Sequence, residues 1–329
     1  MMKDLNDFIF SSEATFTEKA IKVFLFQYQN NQVYKRFADN LNCDPFSIKA
    51  IKQIPFLPIS LFKNHTIISA DIVPELIFRS SGTTNFGNSQ HFVKEPAIYE
   101  ASFTKTFNQF YGNVQDYCFV ALLPSYLERQ GSSLIYMVEK MMEISRHPLN
   151  GFHLYDHQEL SHKLFNLEKQ GQKTLLIGVT YALIEFARNY SMPLKHTIVM
   201  ETGGMKGKEK EMVRTEVHQI LKEAFSLNQI HSEYGMTELL SQAYAPRDGI
   251  FYAPPWMKVL IREEDDPFKL NSADVKNIVG VINVVDLANV FSCSFIATDD
   301  IGKLHADGSF EVLGRMDNSD IRGCSLMAL

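Results

Sequence analysis

Apolar positions near the start of the chain recur at helical spacing. Ile21, Phe24, Leu25 and Tyr28 fall on one face, and Thr15 with Glu18 has the capping-box signature of a helix start. The pattern predicts an amphipathic helix running to about Ala38. Residues 54–75 contain Pro55, Pro58 and Pro74 and read as connecting structure. A short apolar run at 76–78 then meets Arg79-Ser80-Ser81-Gly82-Thr83-Thr84. Pro96 is placed to open a helix, with Phe103, Phe107 and Phe110 along one face.

From there the period alternates. Strands are predicted at 118–123, 174–179, 197–200 and 229–232. Helices are predicted between them, from Ser132 or Ser133 through Met142, at 181–189, and at 208–224 with Val213, Val217, Ile220 and Leu221 inward. Strands alternating with helices imply βαβ units and a mostly parallel sheet. After about residue 250 the helical pattern fades. Short strands at 259–261, 278–286, 294–297, 303–305 and 310–313 are separated by turns. The expected organisation is an α/β core over 1–250, a β-rich subdomain of the same large domain over 251–320, and a short cysteine-bearing tail over 321–329.

Composition narrows the functions open to this fold. Of 329 residues, 45% are hydrophobic and 21% charged, which excludes global disorder. The net charge of −6 gives no basic field for nucleic acid. Cys43, Cys118, Cys293 and Cys324 have no CxxC spacing, which excludes a zinc ribbon or a dense disulfide framework and points to a reducing compartment. The four histidines of 147–162 read as solvated surface side chains. The apolar stretches at 175–187 and 278–297 are interrupted by Glu185 and by Asn283, Asp286 and Asn289. A membrane span needs about 20 apolar residues, so none is expected. The first ten residues carry Asp4 and Asp7 and lack a leader pattern. The expectation is a cytoplasmic protein acting on a small molecule or another protein.

Three polar turns fall at predicted strand ends, where open α/β sheets bind ligands. Ser80, Ser81, Gly82, Thr83 and Thr84 offer hydroxyls and bare backbone N–H groups that suit phosphate oxygens; an ordinary polar turn has the same composition. Thr202-Gly203-Gly204 precedes Lys206 and Lys208, but Thr202 and Glu209 occupy positions that break a Walker A spacing, and GxGxxG is absent. This turn is either a glycine strand end with solvated lysines or a place for close backbone approach to a ligand. Tyr234-Gly235-Met236-Thr237-Glu238 combines a ring able to stack on a purine, a turn glycine, a phosphate-binding hydroxyl and a hard oxygen for Mg²⁺; alone it also reads as a plain turn.

The order of these turns resembles the adenylate-forming ANL superfamily. Thr298-Asp299-Asp300-Ile301-Gly302 is similar to its Thr-Gly-Asp-x-Gly, and Gly314-Arg315-Met316-Asp317 to its Gly-Arg-x-Asp. The resemblance implies that Asp300 binds ribose hydroxyls and Arg315 the ribose and phosphate. Two departures stand out: Asn85-Phe86-Gly87-Asn88 replaces Gly-x-Pro-Lys, and Asp299 replaces a glycine. The chain ends 12 residues after Asp317, so the implied fold is the superfamily's large domain without its mobile C-terminal domain. That trait resembles the acyl-protein synthetases of bacterial bioluminescence, the LuxE type, whose tail cysteine becomes acylated. Cys324, between Gly323 and Ser325, matches that position.

The resemblance implies ATP and Mg²⁺ as cofactors, a carboxylic or fatty acid as substrate, and an acyl reductase as protein partner. Thr237, Glu238 and Cys324 take the catalytic roles, with Glu238 on the metal. Ser80, Ser81, Gly82, Thr83, Thr84, Gly203, Gly204, Tyr234, Gly235, Asp300 and Arg315 hold the nucleotide. An acyl pocket is expected among Phe103, Phe107, Tyr126, Tyr136 and Met137. Two alternatives remain at this point: an acyl- or aryl-CoA ligase of phenylacetate type, which has no need of Cys324, and a non-catalytic nucleotide-binding subunit.

Overall fold

The structure is a computed structural model that describes residues 7–70, 72–80, 88–125, 127–203, 212–270 and 277–316. Contacts divide the chain into two compact units. One takes the described residues among 1–102, 237–241 and 252–329, the other those among 103–236 and 242–251. The N-terminal helices group with the strands beyond 252.

In the second unit, six strands line up in the order Gly151–Phe152, Cys118–Leu122, Thr174–Val179, Thr197–Thr202, His231–Tyr234 and Ala243–Ala245. All neighbours are parallel except the last pair. Such a sheet is buried on both faces, and its strands read as continuous apolar runs; every residue of Cys118–Leu122 is buried. Cys118, Val120 and Leu122 face helices His157–Gln170, Thr180–Asn189 and Arg214–Phe225 through Leu160, Leu164, Leu183, Phe186, Val217 and Leu221. Phe119 points the other way, and its ring lies 5.5 Å from that of Phe107 on helix Pro96–Tyr111. Gly178 is required where strand meets helix, because a Cβ there would sit 2.8 Å from Leu122 Cβ.

The first unit carries an antiparallel run of Met257–Arg262, Ile278–Asp286, Phe295–Leu304 and Phe310–Arg315. Leu57–Pro58 adds in parallel to Phe295–Leu304, and Leu76–Arg79 pairs with Gln90–Val93 in a separate ribbon. Phe24, Tyr34 and Phe56 surround Phe295, with ring centroids 6.3, 6.1 and 6.0 Å away. Gln27 Nε2 donates to the carbonyls of Asn289 and Val290 at 3.0 and 2.9 Å, which ties the first helix to this sheet.

Several elements depart from the sequence expectation. The Thr15–Glu18 capping box forms, but the first helix stops at Asn30 and a second covers Gln32–Asn40. Asn31 causes the break: its backbone is extended, its side chain caps the second helix, and its Nδ2 donates to Ser292 O at 3.0 Å. Val213 precedes helix Arg214–Phe225 and is 62% exposed rather than inward. The strand expected at 229–232 lies at His231–Tyr234, so Tyr234 ends a strand instead of opening a turn. The two short strands expected on either side of Thr298–Gly302 are one strand, Phe295–Leu304, with a register shift in its neighbour between Val281 and Asn283. His153 is buried rather than solvated, accepting from Lys163 Nζ at 2.8 Å. Among the described residues no helix is long and apolar enough to cross a membrane.

Candidate active site

In the first unit, Glu238 is 6% exposed. Burial pushes its carboxyl above the ordinary range, opposed by a hydrogen bond from Ser89 and by the charge of Arg315, while Asp300 adds to the rise. Ser89 in turn exchanges backbone and side-chain bonds with Ser80: Ser80 N donates to Ser89 O at 3.1 Å, and Ser89 N to Ser80 Oγ at 3.0 Å. Asp300 and Arg315 are direct cross-strand partners, with Arg315 Nε 3.4 Å from Asp300 Oδ1. The Arg315 side chain remains 63% exposed. The unit thus holds Ser80, Glu238, Asp300 and Arg315, linked through Ser89 and the Asp300–Arg315 pair.

Thr298 shows why this strand presents an acid. The buried Arg262 donates to Asn283 Oδ1 at 2.6 Å and to Thr298 O at 2.7 Å. Thr298 Oγ1 bonds Ile282 O at 2.8 Å and accepts from Asp300 N at 3.1 Å. Gly302 is dictated by close approach, since a Cβ there would lie 2.7 Å from Glu311 O. Asp299, in place of a glycine, is mostly buried; burial raises its pKa against the pull of Arg315 and Arg262.

In the second unit, Thr202 and Glu233 are register partners on adjacent parallel strands, and Thr202 Oγ1 donates to Glu233 Oε2 at 2.5 Å. Burial, with Glu201 as a negative neighbour, pushes Glu233 up to about 7 despite the Thr202 bond. Glu201 is as deeply buried, yet it stays below its ordinary value because His218 and Arg214 reach it; Arg214 Nε lies 3.1 Å from Glu201 Oε1. Gly203 sits at φ +71°, the left-handed region that favours glycine, and its carbonyl lies 2.9 Å from Thr180 Oγ1. Gly235 carries no Cβ because one would fall 2.5 Å from Glu233 Oε1. The ring of Tyr234 packs edge-on to Phe251 at 5.9 Å. Gly203, Tyr234 and Gly235 therefore share one edge of this sheet.

Ser81, Gly82, Thr83, Thr84, Gly204, Tyr126 and Cys324 lie outside the described residues. Of the expected acyl-pocket residues, Phe103, Phe107, Tyr136 and Met137 are buried as core. Sequence reasoning missed Ser89, His91, Asp286 and Asn289, all buried. Glu201 and Glu233 carried a faint signal, as acids inside apolar strand patterns next to motifs; His91 and Asn289 carried none.

Magnesium suits this setting. Among the described residues no group of three or more His, Cys, Asp or Glu could hold a metal ion. Mg²⁺ does not need such a cage: it keeps several waters and binds through one or two carboxylates plus substrate phosphates. Glu238, a buried carboxylate that burial disfavours as an anion, fits that role.

The family profile described as acyl-protein synthetase, LuxE, matches residues 136–328. The chain belongs to the LuxE acyl-protein synthetase family. The match includes Tyr234, Glu238, Asp300, Arg315 and Cys324. Solved structures share the fold. The 2-hydroxyisobutyryl-CoA ligase with 2-HIB-AMP and CoA in the thioesterification state gives a TM-score of 0.66 at 13% identity, over 92% of this chain and 68% of that one. ATP-bound MatB from Rhodopseudomonas palustris gives 0.56 at 17% identity, over 73% and 47%. The luciferase-like enzyme of the nonluminescent Zophobas morio mealworm gives 0.53 at 14% identity, over 84% and 61%. This LuxE-family chain thus covers about half the length of MatB. At these identities the likeness establishes the ANL-type adenylate-forming α/β fold. No curated protein matches the chain.

Proposed function

We propose that this LuxE-family protein activates a carboxylic acid of the fatty-acid class as an acyl-adenylate, then loads the acyl group onto its own Cys324 as a thioester for an acyl reductase. The family match over 136–328 carries the reading.

A carboxylate is a poor electrophile, and adenylation corrects that. A carboxylate oxygen attacks the α-phosphorus of ATP; the new O–P bond forms as the bond to pyrophosphate breaks, and pyrophosphate leaves with the electron pair. Negative charge gathers on the phosphate oxygens, so positioning and fixed charge dominate the catalysis. Ser80, Ser81, Gly82, Thr83, Thr84 and Thr237 hold phosphate oxygens. Gly203 and Gly204 admit the nucleotide close to the backbone, Tyr234 and Gly235 take the adenine side, and Asp300 with Arg315 take the ribose end. Glu238 holds Mg²⁺, which when bound supplies positive charge beside the phosphates.

The Cys324 thiolate then attacks the acyl carbon. The C–S bond forms, the bond from acyl carbon to AMP oxygen breaks, AMP leaves with the electron pair, and the thiol proton passes to solvent. One difficult transfer becomes two easier ones. Thiolate is the nucleophilic form. Burial pushes Cys118 and Cys293 up to about 12 and raises Cys43 as well, so these three are poor acyl acceptors.

The test is labelling with a radioactive long-chain acid, ATP and Mg²⁺. The expected result is a hydroxylamine-labile label on the protein that Cys324→Ser loses while pyrophosphate release persists. An unchanged label in Cys324→Ser contradicts self-loading. Label that moves only to added CoA, with none on the protein, supports the CoA-ligase alternative.

A further inference from the structure

Residues 237–241 form no helix or strand, yet they group with the first unit while the chain on either side belongs to the second. Side chains explain this. His91 Nδ1 donates to Thr237 O at 2.8 Å. Asn289 Nδ2 donates to Glu238 O at 2.7 Å. Asp286 accepts from Leu240 N at 2.7 Å and from Ser241 Oγ at 2.6 Å. His91 and Asn289 also meet each other, His91 Nε2 lying 2.8 Å from Asn289 Oδ1. Both are 0% exposed. Buried polar side chains are stable only with partners, and here the partners are two successive backbone carbonyls of the motif.

The segment 89–93 contributes twice. Ser89, just before strand Gln90–Val93, bonds the Glu238 carboxylate, and His91, inside that strand, bonds the preceding carbonyl. The imidazole plane is itself fixed, with Phe62 and Phe78 edge-on at 5.9 and 6.5 Å. A peptide unit whose two flanking carbonyls are held has little freedom left in ψ, so the Cα–Cβ direction of Glu238 is set.

We propose that His91 and Asn289 are positioning residues that lock the Thr237–Glu238 peptide and thereby aim the Glu238 carboxylate at the magnesium–nucleotide. The proposal rests on the reading of Glu238 as the magnesium ligand. Both are fully buried, and each acts through a backbone carbonyl, His91 through that of Thr237 and Asn289 through that of Glu238. Partners of this kind around a metal ligand are worth about 10–100-fold in metal affinity or activity.

Full-length protein is the material for the test. Three quantities are measured on each variant: calorimetric binding of Mg²⁺ with a non-hydrolysable ATP analogue, KM and kcat for MgATP and for the acid, and cooperative thermal melting. His91→Ala and Asn289→Ala are expected to weaken Mg²⁺-nucleotide binding about 10–100-fold, with the KM for the acid unchanged. His91→Asn, which places a donor near the position of Nδ1, is expected to restore most of the affinity. If the alanine variants do not melt cooperatively, Asn289→Asp replaces them. It keeps the volume but sets an oxygen against Glu238 O, and the same weakening is expected. Alanine variants that fold and bind Mg²⁺-nucleotide within about twofold of wild type, while Glu238→Gln does not, overturn the positioning role alone. Glu238→Gln binding Mg²⁺-nucleotide as wild type does overturns the reading beneath it, and the positioning role with it.

Discussion

Glu233 and Glu238 belong to the same short stretch of sequence, and they are 7% and 6% exposed. Their surroundings differ. Glu233 ends a strand of the parallel sheet, with the Thr202 hydroxyl as donor and the negative Glu201 beside it, and burial takes it up to about 7. Glu201, on the neighbouring strand, pays the same burial penalty, yet it stays ionised because Arg214 and His218 reach it. Glu238 sits outside any regular element, raised by burial but within the field of Arg315 and bonded by Ser89. Burial sets the penalty for charge in all three. Companions decide whether the group is a neutral packing acid, a structural anion, or a carboxylate that a cation would complete.

The largest effect expected is on activity. Glu238→Gln keeps the shape and removes the charge, so acid-dependent pyrophosphate release should fall about 100–1000-fold with little change in melting. Rates within a few fold of wild type would place Glu238 with Glu233, as a packing acid.

The next effect is on stability against pH. Burial pushes Glu233 up to about 7 in the folded state, whereas an ordinary glutamate releases its proton near 4.5. Between those values the unfolded chain has lost the proton and the folded chain has not, so stability falls as pH rises through this window. The total is about 3 kcal/mol as an order of magnitude. Glu233→Gln should flatten that part of the curve of melting temperature between pH 5 and pH 8; an unaltered slope contradicts the raised pKa. Glu201 has the opposite sign. Its depressed pKa contributes stability that is present above about 4.5 and lost as pH falls through the folded value. Arg214→Met should therefore lower stability at pH 7 by about 2 kcal/mol and by less in acid, as denaturant melts at the two pH values would read. An equal loss at both means that Arg214 acts through packing against the ring of Phe251, 5.1 Å away.

The smallest effect is a control far from either carboxylate. Thr15→Ala removes the cap of the first helix and should cost about 1 kcal/mol in a chemical melt, with kcat and KM unchanged. A catalytic loss in this variant would mean that stability alone moves activity, and it would weaken the interpretation of the Glu238 result.

The sequence carried the regular parts of this fold well. Period and capping placed Thr174–Val179, Ile278–Asp286 and the Thr15 cap correctly, because local chemistry decides them. It failed where a distant partner decides. Asn31 breaks a helix to reach Ser292. Thr298–Gly302 falls between two expected short strands, but pairing on both sides holds it as strand. The site divides along the same line. Glu238, Asp300 and Arg315 were legible as motif letters, and the structure gathers them in one unit. Ser89, His91 and Asn289 were not legible, since two of them bind backbone carbonyls that every residue possesses.

The most direct test of the central claim is exchange of radioactive pyrophosphate into ATP, driven by a panel of carboxylic acids with Mg²⁺. The account predicts exchange that requires both a long-chain acid and Mg²⁺, persists in Cys324→Ser, and collapses in Glu238→Gln. Exchange absent with every acid from a folded protein that binds ATP, or exchange indifferent to Glu238→Gln, would contradict it.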